Sequence, residues 1–574
     1  MSFSVQEWRN GTAVNAWEYF GNHTVGNQTV FRVWAPGAKE VSVTGPFCGW
    51  LAGIHRAEEI YPGIFECRLE NVPEYTPYKF VLTSQDGKQI FKSDPFAFHA
   101  ETPPGNASKC YELGYYEWND AKWMAKRKAG AQPLSIYQIH AGSFRTYAGG
   151  EPLNYRKLGE ELAPYLKSLG CTHLGLMPLL EHMQEGDPIR RTTGFLALTS
   201  RYGVPMDFCR LVEELHQVDI GVTMDLSLLG FPADDFGLSR FAGDILWEDS
   251  DSQEGFYNFH FCKPEVQSFL LSAAHSLLSN FHLDGLRILD AAEIADRPGG
   301  LSFLQQFTQN IRRLFPDVIL IGNCPNAGFH RITDSDTART LLDLAAGCPA
   351  ELSKPKLHSV QQIDLDLVGS ISMISRMPGS YDEKFARLRA AIACYRAYPG
   401  AKLSFMGNEF AQFTSWTPNR ELDWVLMDYE MHRKFLAMVQ RTSDFYRKTP
   451  AIWEEDPLES RFELIQSAEH PQVKGFIRRD QSGSQIIVLS NFSDKPVEPF
   501  VLGVDKRGKY AELFSSDEAQ YGGEGRSCHV NFAKLRPADG KPFCIEADLP
   551  PFTTVYLYKS AGTTGRSLSH NHKL

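Results

Sequence analysis

The chain has 574 residues, of which 43% are hydrophobic and 22% charged, the proportions of a soluble globular protein large enough for several domains. Its formal charge is −11, which speaks against a nucleic-acid binder, because phosphate recognition needs a basic face. No stretch approaches the about 20 apolar residues of a membrane span, and the start MSFSVQEWRNGTAVNAW lacks the basic-then-apolar pattern of a signal peptide.

Residues 1 to about 108 read as β. Short strands are expected over 31–34 and 41–44, parted by the turn Pro36-Gly37, and over 63–69 and 77–83, with Asp86-Gly87 as a hairpin turn. Several short strands with regular turns predict a β-sandwich. The stretch ETPPGNAS (101–108) then reads as a connector.

From about 133 the rhythm changes to alternating strands and helices. Strands are expected over 134–140, 172–177, 220–225, 285–289, 318–321 and 402–406. Helices are expected over 155–169, 207–218, 264–281, 301–314 and 381–398. About 300 residues of such alternation predict a closed (β/α)₈ barrel of parallel strands, with a doubly wound open sheet as the alternative. No GxGxxG or GxxxxGK[ST] follows a strand, which weakens any nucleotide-binding reading.

After about 455 the pattern returns to β, over 472–478, 484–490 and 553–558, and predicts a second sandwich. The tail from Ser560 reads as disordered, and its His570 and His572 as solvated rather than metal-binding. The expected domains are thus 1–108, 109–455 and 456–560, with a tail at 561–574. The 11 scattered cysteines, with no CxxC pair, read as reduced thiols in cytosol.

The segment FHLDGLRILD (281–290) carries the most information. Side chains alternate across a strand, so Arg287 shares a face with Leu289, and Asp290 points the other way.

Set in order, the motifs FRVWAPGAKEVSV (31–43), KSDPFAF (92–98), SIYQIHAGSFR (135–145), THLGLMPLLEH (172–182), TGFLALTSRYG (193–203), GLSRFAG (237–243), HLDGLR (282–287), MPGSYDEKFARLRA (377–390), PGAKLSFMGNEFAQ (399–412), ELDW (421–424) and YGG (521–523) make the chain resemble the glycogen branching enzymes, 1,4-α-glucan branching enzymes of the α-amylase superfamily. The resemblance runs from about Phe31 to about Tyr558. It implies an isoamylase-type carbohydrate-binding module, a catalytic-type barrel and a C-terminal all-β domain. It implies no metal or organic cofactor and an α-glucan polymer as ligand.

The family reaction is a retaining transglycosylation. One carboxylate attacks the anomeric carbon, and a second, only about 5 Å away, protonates the departing oxygen. A third carboxylate stabilises developing positive charge. The resemblance puts the nucleophile two residues after Arg287, where this chain has Leu289. It puts the general acid at the end of the next strand, where VILIGNCPN (318–326) has Asn323, with Cys324 beside it. Asparagine cannot donate a proton at a useful pKa. Asp364 stands at the third acid's position without its flanking histidine and glutamate. DLSLLG (225–230) keeps Asp225 and has Gly230 in place of a histidine. Pro188-Ile189-Arg190 replaces a sugar-stacking aromatic segment. The loops after the two acid positions read as shortened to 291–300 and 327–335.

Framework motifs are therefore intact while obligatory carboxylates are gone. The chain is expected to be a degenerate branching-enzyme homologue, a pseudoenzyme acting through α-glucan binding, with Asp225, Arg287 and Asp364 as a residual pocket. Two alternatives stand beside it. One is an active enzyme whose nucleophile is Asp290, re-aimed by a bulge. The other is a non-catalytic partner subunit of an active glycogen-metabolism enzyme.

Overall fold

The structure, a computed structural model, describes residues 3–114, 116–128, 133–183, 191–250, 255–363, 371–454 and 461–559. Eight parallel strands form a closed barrel in the order Ser135–Ile139, His173–Leu176, Gly221–Leu226, Gly285–Ile288, Ile319–Gly322, Arg331–Asp334, Ser359–Ile363 and Ala401–Phe405. Contacts group the chain into two compact units. The first comprises 1–130, 138–167 and 173–332, the second 131–137, 168–172 and 333–574.

In the first unit, Ser4 caps a short helix, Val5–Asn10, that buries Trp8. Two antiparallel sheets follow. One runs Gly21–Val25, Gln28–Trp34, Ile64–Glu70, Glu58–Tyr61. The other runs His55–Arg56, Glu40–Thr44, Pro77–Thr83, Gln89–Lys92. Alternating apolar side chains such as Phe31, Val43, Phe65 and Phe80 close the sandwich. The KSDPFAF motif explains itself here. The buried Asp94 carboxylate accepts from the Tyr78 hydroxyl (2.5 Å) and the Phe96 amide (2.8 Å), and burial pushes it up to about 7. Trp8, Trp34 and Trp247 form a chain of edge contacts, with centroids 5.6 and 5.0 Å apart. It ties the N-terminal helix and the sandwich to the loop around 247.

The helix Pro264–Asn280 precedes the fourth barrel strand and is buried along most of its length, with the small Ser268, Ser272 and Ser276 buried among its apolar residues. At the amino end of that strand, His216 lies fully buried between two carboxylates. Its Nδ1 is 2.8 Å from Asp120 and its Nε2 2.9 Å from Asp284. A carboxylate at each nitrogen favours the protonated ring, which can donate on both sides. Burial opposes the charge, but the two carboxylates outweigh it and raise the pKa. Asp284 also accepts from Trp123 Nε1 (2.8 Å) and the Val222 amide (2.7 Å), so the aspartate of HLDGLR is a structural hub.

In the second unit, Ser380 and Glu383 form a capping box at the start of the helix Tyr381–Ala397, as the MPGSYDE segment is built to do. That helix is bonded to the C-terminal sheet: Thr554 Oγ1 donates to the Ala390 carbonyl (2.8 Å), Tyr556 Oη to that of Ala393 (2.5 Å), and Arg389 Nε to that of Ser516 (3.0 Å). The sheet runs Phe462–Ile465, Val473–Arg479, Gln485–Asn491, Thr553–Lys559, Tyr510–Ser515, and a two-stranded ribbon, Val497–Val504 with Phe543–Leu549, completes the sandwich. The MGNEFAQ and ELDW motifs meet here, since the Asp423 amide donates to Gln412 Oε1 (2.8 Å).

Two sequence expectations need correction. The segment 327–335, read as a shortened loop, contains the sixth barrel strand. The segment 291–300, also read as loop, contains the helix Ala291–Ala295. All 11 cysteines are free thiols. No helix among the described residues is long and apolar enough to cross a membrane.

Candidate functional site

The third and fourth barrel strands pair with Asp225 directly opposite Arg287. Arg287 donates through Nε to Asp225 Oδ1 (2.8 Å) and through Nη2 to Oδ2 (2.6 Å), a bidentate pair in which both side chains are about 5% exposed or less. Gln138 Nε2 donates to the same carboxylate at 2.6 Å. Gln138 lies on the first barrel strand, and the second intervenes between it and the third. The bond therefore crosses the barrel interior, which places Arg287 on the inward face. The Gln138 contact had no signal in the sequence beyond strand parity.

Alternation then puts Leu289 inward as well, and it is half-buried. The ladder stays regular. The Leu289 amide donates to the Leu226 carbonyl (3.0 Å), and Arg287 and Ile288 pair in step with Ile321 and Gly322. The bulge that would re-aim Asp290 is not there.

Asp290 instead fastens the turn after the third strand. Its carboxylate accepts from Ser227 Oγ (2.5 Å), the Leu228 amide (3.2 Å) and the Leu229 amide (3.0 Å), and it is 2% exposed. Burial pushes its carboxyl up to about 6, against those three donors.

Asn323 follows the fifth strand, and its Oδ1 accepts from the Ala292 amide at 2.8 Å, which satisfies one of the open donors at the start of the helix Ala291–Ala295. Cys324 beside it is a buried thiol. Gly230 opens a short strand, Gly230–Pro232, paired antiparallel to Phe256–Asn258. A β-carbon on Gly230 would stand 1.9 Å from the Tyr257 carbonyl oxygen, so the paired strand fills the space a histidine side chain would need.

The structure thus brings Asp225 and Arg287 together and turns Asp290 and Asn323 to structural tasks. Asp364, Pro188-Ile189-Arg190, His570 and His572 lie outside the described residues. Among the described residues no His, Cys, Asp and Glu side chains cluster to hold a metal ion. The framework motifs do hold the scaffold. The buried carboxylate of Glu181 accepts from Thr199, from the Ser200 amide and hydroxyl, and from Arg201, so LLEH locks SRYG in place. What remains of the expected pocket among the described residues is a buried, mutually neutralising ion pair, able to position and to hydrogen-bond.

On the N-terminal sandwich, the loop after Glu40–Thr44 presents Trp50 at φ +63° and 39% exposed, with Leu51 and Ile54 exposed beside it. An indole held out by a left-handed backbone is uncommon. Composition offered no pointer to it.

Residues 19–97 match carbohydrate-binding module 48, the isoamylase N-terminal domain, and residues 465–560 match the alpha amylase C-terminal all-beta domain. The 1,4-alpha-glucan branching enzyme GlgB of Desulfitobacterium hafniense is 35% identical over 94% of each chain. That of Aquifex aeolicus is 34% identical over 97% of this chain and 98% of its own. Among solved structures, the apo pullulanase of Paenibacillus barengoltzii superposes with a TM-score of 0.75 over 97% of this chain and 96% of its own, at 15% identity, a likeness of fold alone.

Proposed function

The chain belongs to the 1,4-α-glucan branching enzyme family, and from that premise we propose that it is a member that binds α-glucan without carrying out the branching reaction. A retaining transfer needs two carboxyl groups about 5 Å apart at the barrel's carboxyl end. Leu289 and Asn323 stand at the two positions to which the family likeness assigns them. The placement of Asp290 supports this reading most directly. As the acid nearest the vacated nucleophile position, it is buried and holds three donors of the turn 227–229. Freeing it would unmake the turn that follows Asp225. Loss of one member of a catalytic unit lowers turnover by about 10⁴–10⁶-fold, and here two are replaced.

Glucan contact falls to the carbohydrate-binding module, where the exposed Trp50 ring offers a flat apolar face for a pyranose. Eleven unpaired thiols fit a reducing compartment.

Two measurements test this. Incubation with amylose should leave iodine staining unchanged and produce no new α-1,6 linkages; branching abolished by Asp290→Asn would overturn the loss of activity. Co-sedimentation with glycogen should deplete the protein from the supernatant; a protein left wholly in solution would overturn the glucan reading.

A further inference from the structure

The GLSRFAG motif serves none of the contacts described so far, yet its loop is bolted to the sandwich. The Ser93 amide donates to the Phe236 carbonyl (2.7 Å), and the buried Lys92 ammonium donates to the carbonyl of Ser239. Between this loop, residues 234–244, and the hairpin of Pro77–Thr83 and Gln89–Lys92 runs a cleft of about 1160 Å³. That exceeds the roughly 300–1,000 Å³ of a small-molecule pocket and suits a length of chain better than one enclosed molecule.

The lining has the character of a polyol site. Phe91, 39% exposed, and Phe236 supply apolar ring faces, and the Lys79 ammonium lies 5.9 Å from the Phe236 ring centre. Four cationic and four anionic side chains line the cleft, so their charges balance and neither an anion nor a cation is favoured. Asp234 adds a specific acceptor. Its Oδ1 takes the Phe236 and Gly237 amides, while its Oδ2 is buried with no hydrogen-bond partner among the described residues. A buried carboxylate oxygen left unpaired is costly, and a hydroxyl donor from a ligand would satisfy it. A neutral ligand with apolar faces and many hydroxyls answers all of these features at once.

We propose that this cleft is a second α-glucan-binding site, made of residues distinct from those around Trp50. It rests on the glucan-binding reading above. The linear heptamer maltoheptaose is the probe, titrated by calorimetry and followed by hydrogen exchange. Phe91 is exposed enough that Phe91→Ala keeps the fold, and the change should weaken binding by about tenfold. Trp50→Ala should leave residual binding that Phe91→Ala then removes. Without any substitution, maltoheptaose should slow exchange over residues 84–92 and 234–244. A protein that sediments with glycogen, yet shows neither the Phe91 effect nor this protection, would overturn the cleft and leave the glucan reading standing. A protein that binds neither glycogen nor maltoheptaose would overturn both.

Discussion

The carbonyl oxygen of Tyr257 fills the space that a side chain on Gly230 would need, 1.9 Å from where its β-carbon would lie. The obstruction is backbone, held in a strand pair, and cannot swing away as a side-chain tip could. Gly230→His should therefore destabilise the protein by about 2–3 kcal/mol through overpacking and confer no branching. Thermal unfolding and an iodine assay check both halves.

Restoring the acids by Leu289→Asp with Asn323→Glu should also yield no new α-1,6 linkages above the unaltered protein. The new carboxylates would join a site where Asp225 and Arg287 neutralise each other and where the Gly230 strand pair has closed in. Branching that rises well above background in the double variant would show the pocket still competent and contradict this expectation.

Arg287→Ala should be among the most destabilising single changes, by about 3–5 kcal/mol, because it leaves Asp225 as a buried carboxylate with only Gln138 as side-chain donor among the described residues. Arg287→Lys should recover only part, since an ammonium cannot reproduce the two-pronged bond. Urea unfolding of the three proteins gives the ranking; equal midpoints would refute it.

Asp290 makes stability depend on pH in a definite direction. Its folded pKa, about 6, lies above the roughly 4 of an unfolded aspartate. The folded state thus holds the extra proton between those values. The stability it brings is present below about pH 4 and lost as pH rises through 6. Relative to Asp290→Asn, which cannot titrate, the parent should lose on the order of 2 kcal/mol between pH 4 and pH 7. Parallel stability profiles for the two proteins would show that the carboxyl is not raised.

His216 acts at the other end of the scale. Its pKa is raised by Asp120 and Asp284, against burial, so its contribution is complete below the unfolded histidine value near 6.5 and fades as pH climbs through the folded value. The gap in unfolding midpoint between the parent and His216→Gln should be widest at pH 6 and should narrow towards pH 9. A gap that widens with pH would mean the ring is neutral.

Strands such as ILIG and its flanking Val318 were legible from the sequence because burial on both sides makes them continuous hydrophobic runs. The sixth and seventh barrel strands were not. Arg331–Asp334, inside the segment read as a shortened loop, and Ser359–Ile363, which no expected strand covered, read RITD and SVQQI, too polar to stand out as barrel strands. They are polar because they satisfy one another: the fully buried Gln361 donates to Asp334 Oδ2 (3.1 Å) and to Ser359 Oγ (3.0 Å). A strand whose buried polar groups pair with one another defeats a reading based on hydrophobicity. At the site, strand parity alone placed Arg287 and Leu289 on one face. What Asp290 does could not be read, because its partners are mostly backbone amides of the turn 227–229, which no side-chain pattern announces.

The Lys92 contact makes the sandwich a poor candidate for transplantation. Its ammonium is 1% exposed and donates to the Ser239 carbonyl, which lies more than a hundred residues away in the chain, and the Ser93 amide and Trp34 ring depend likewise on Phe236 and Trp247. A fragment cut at residue 108 would expose all three without their acceptors or ring partner. The sandwich is therefore no bead on a string: the floor of one domain is written in the loop of another, and neither can drift without the other following.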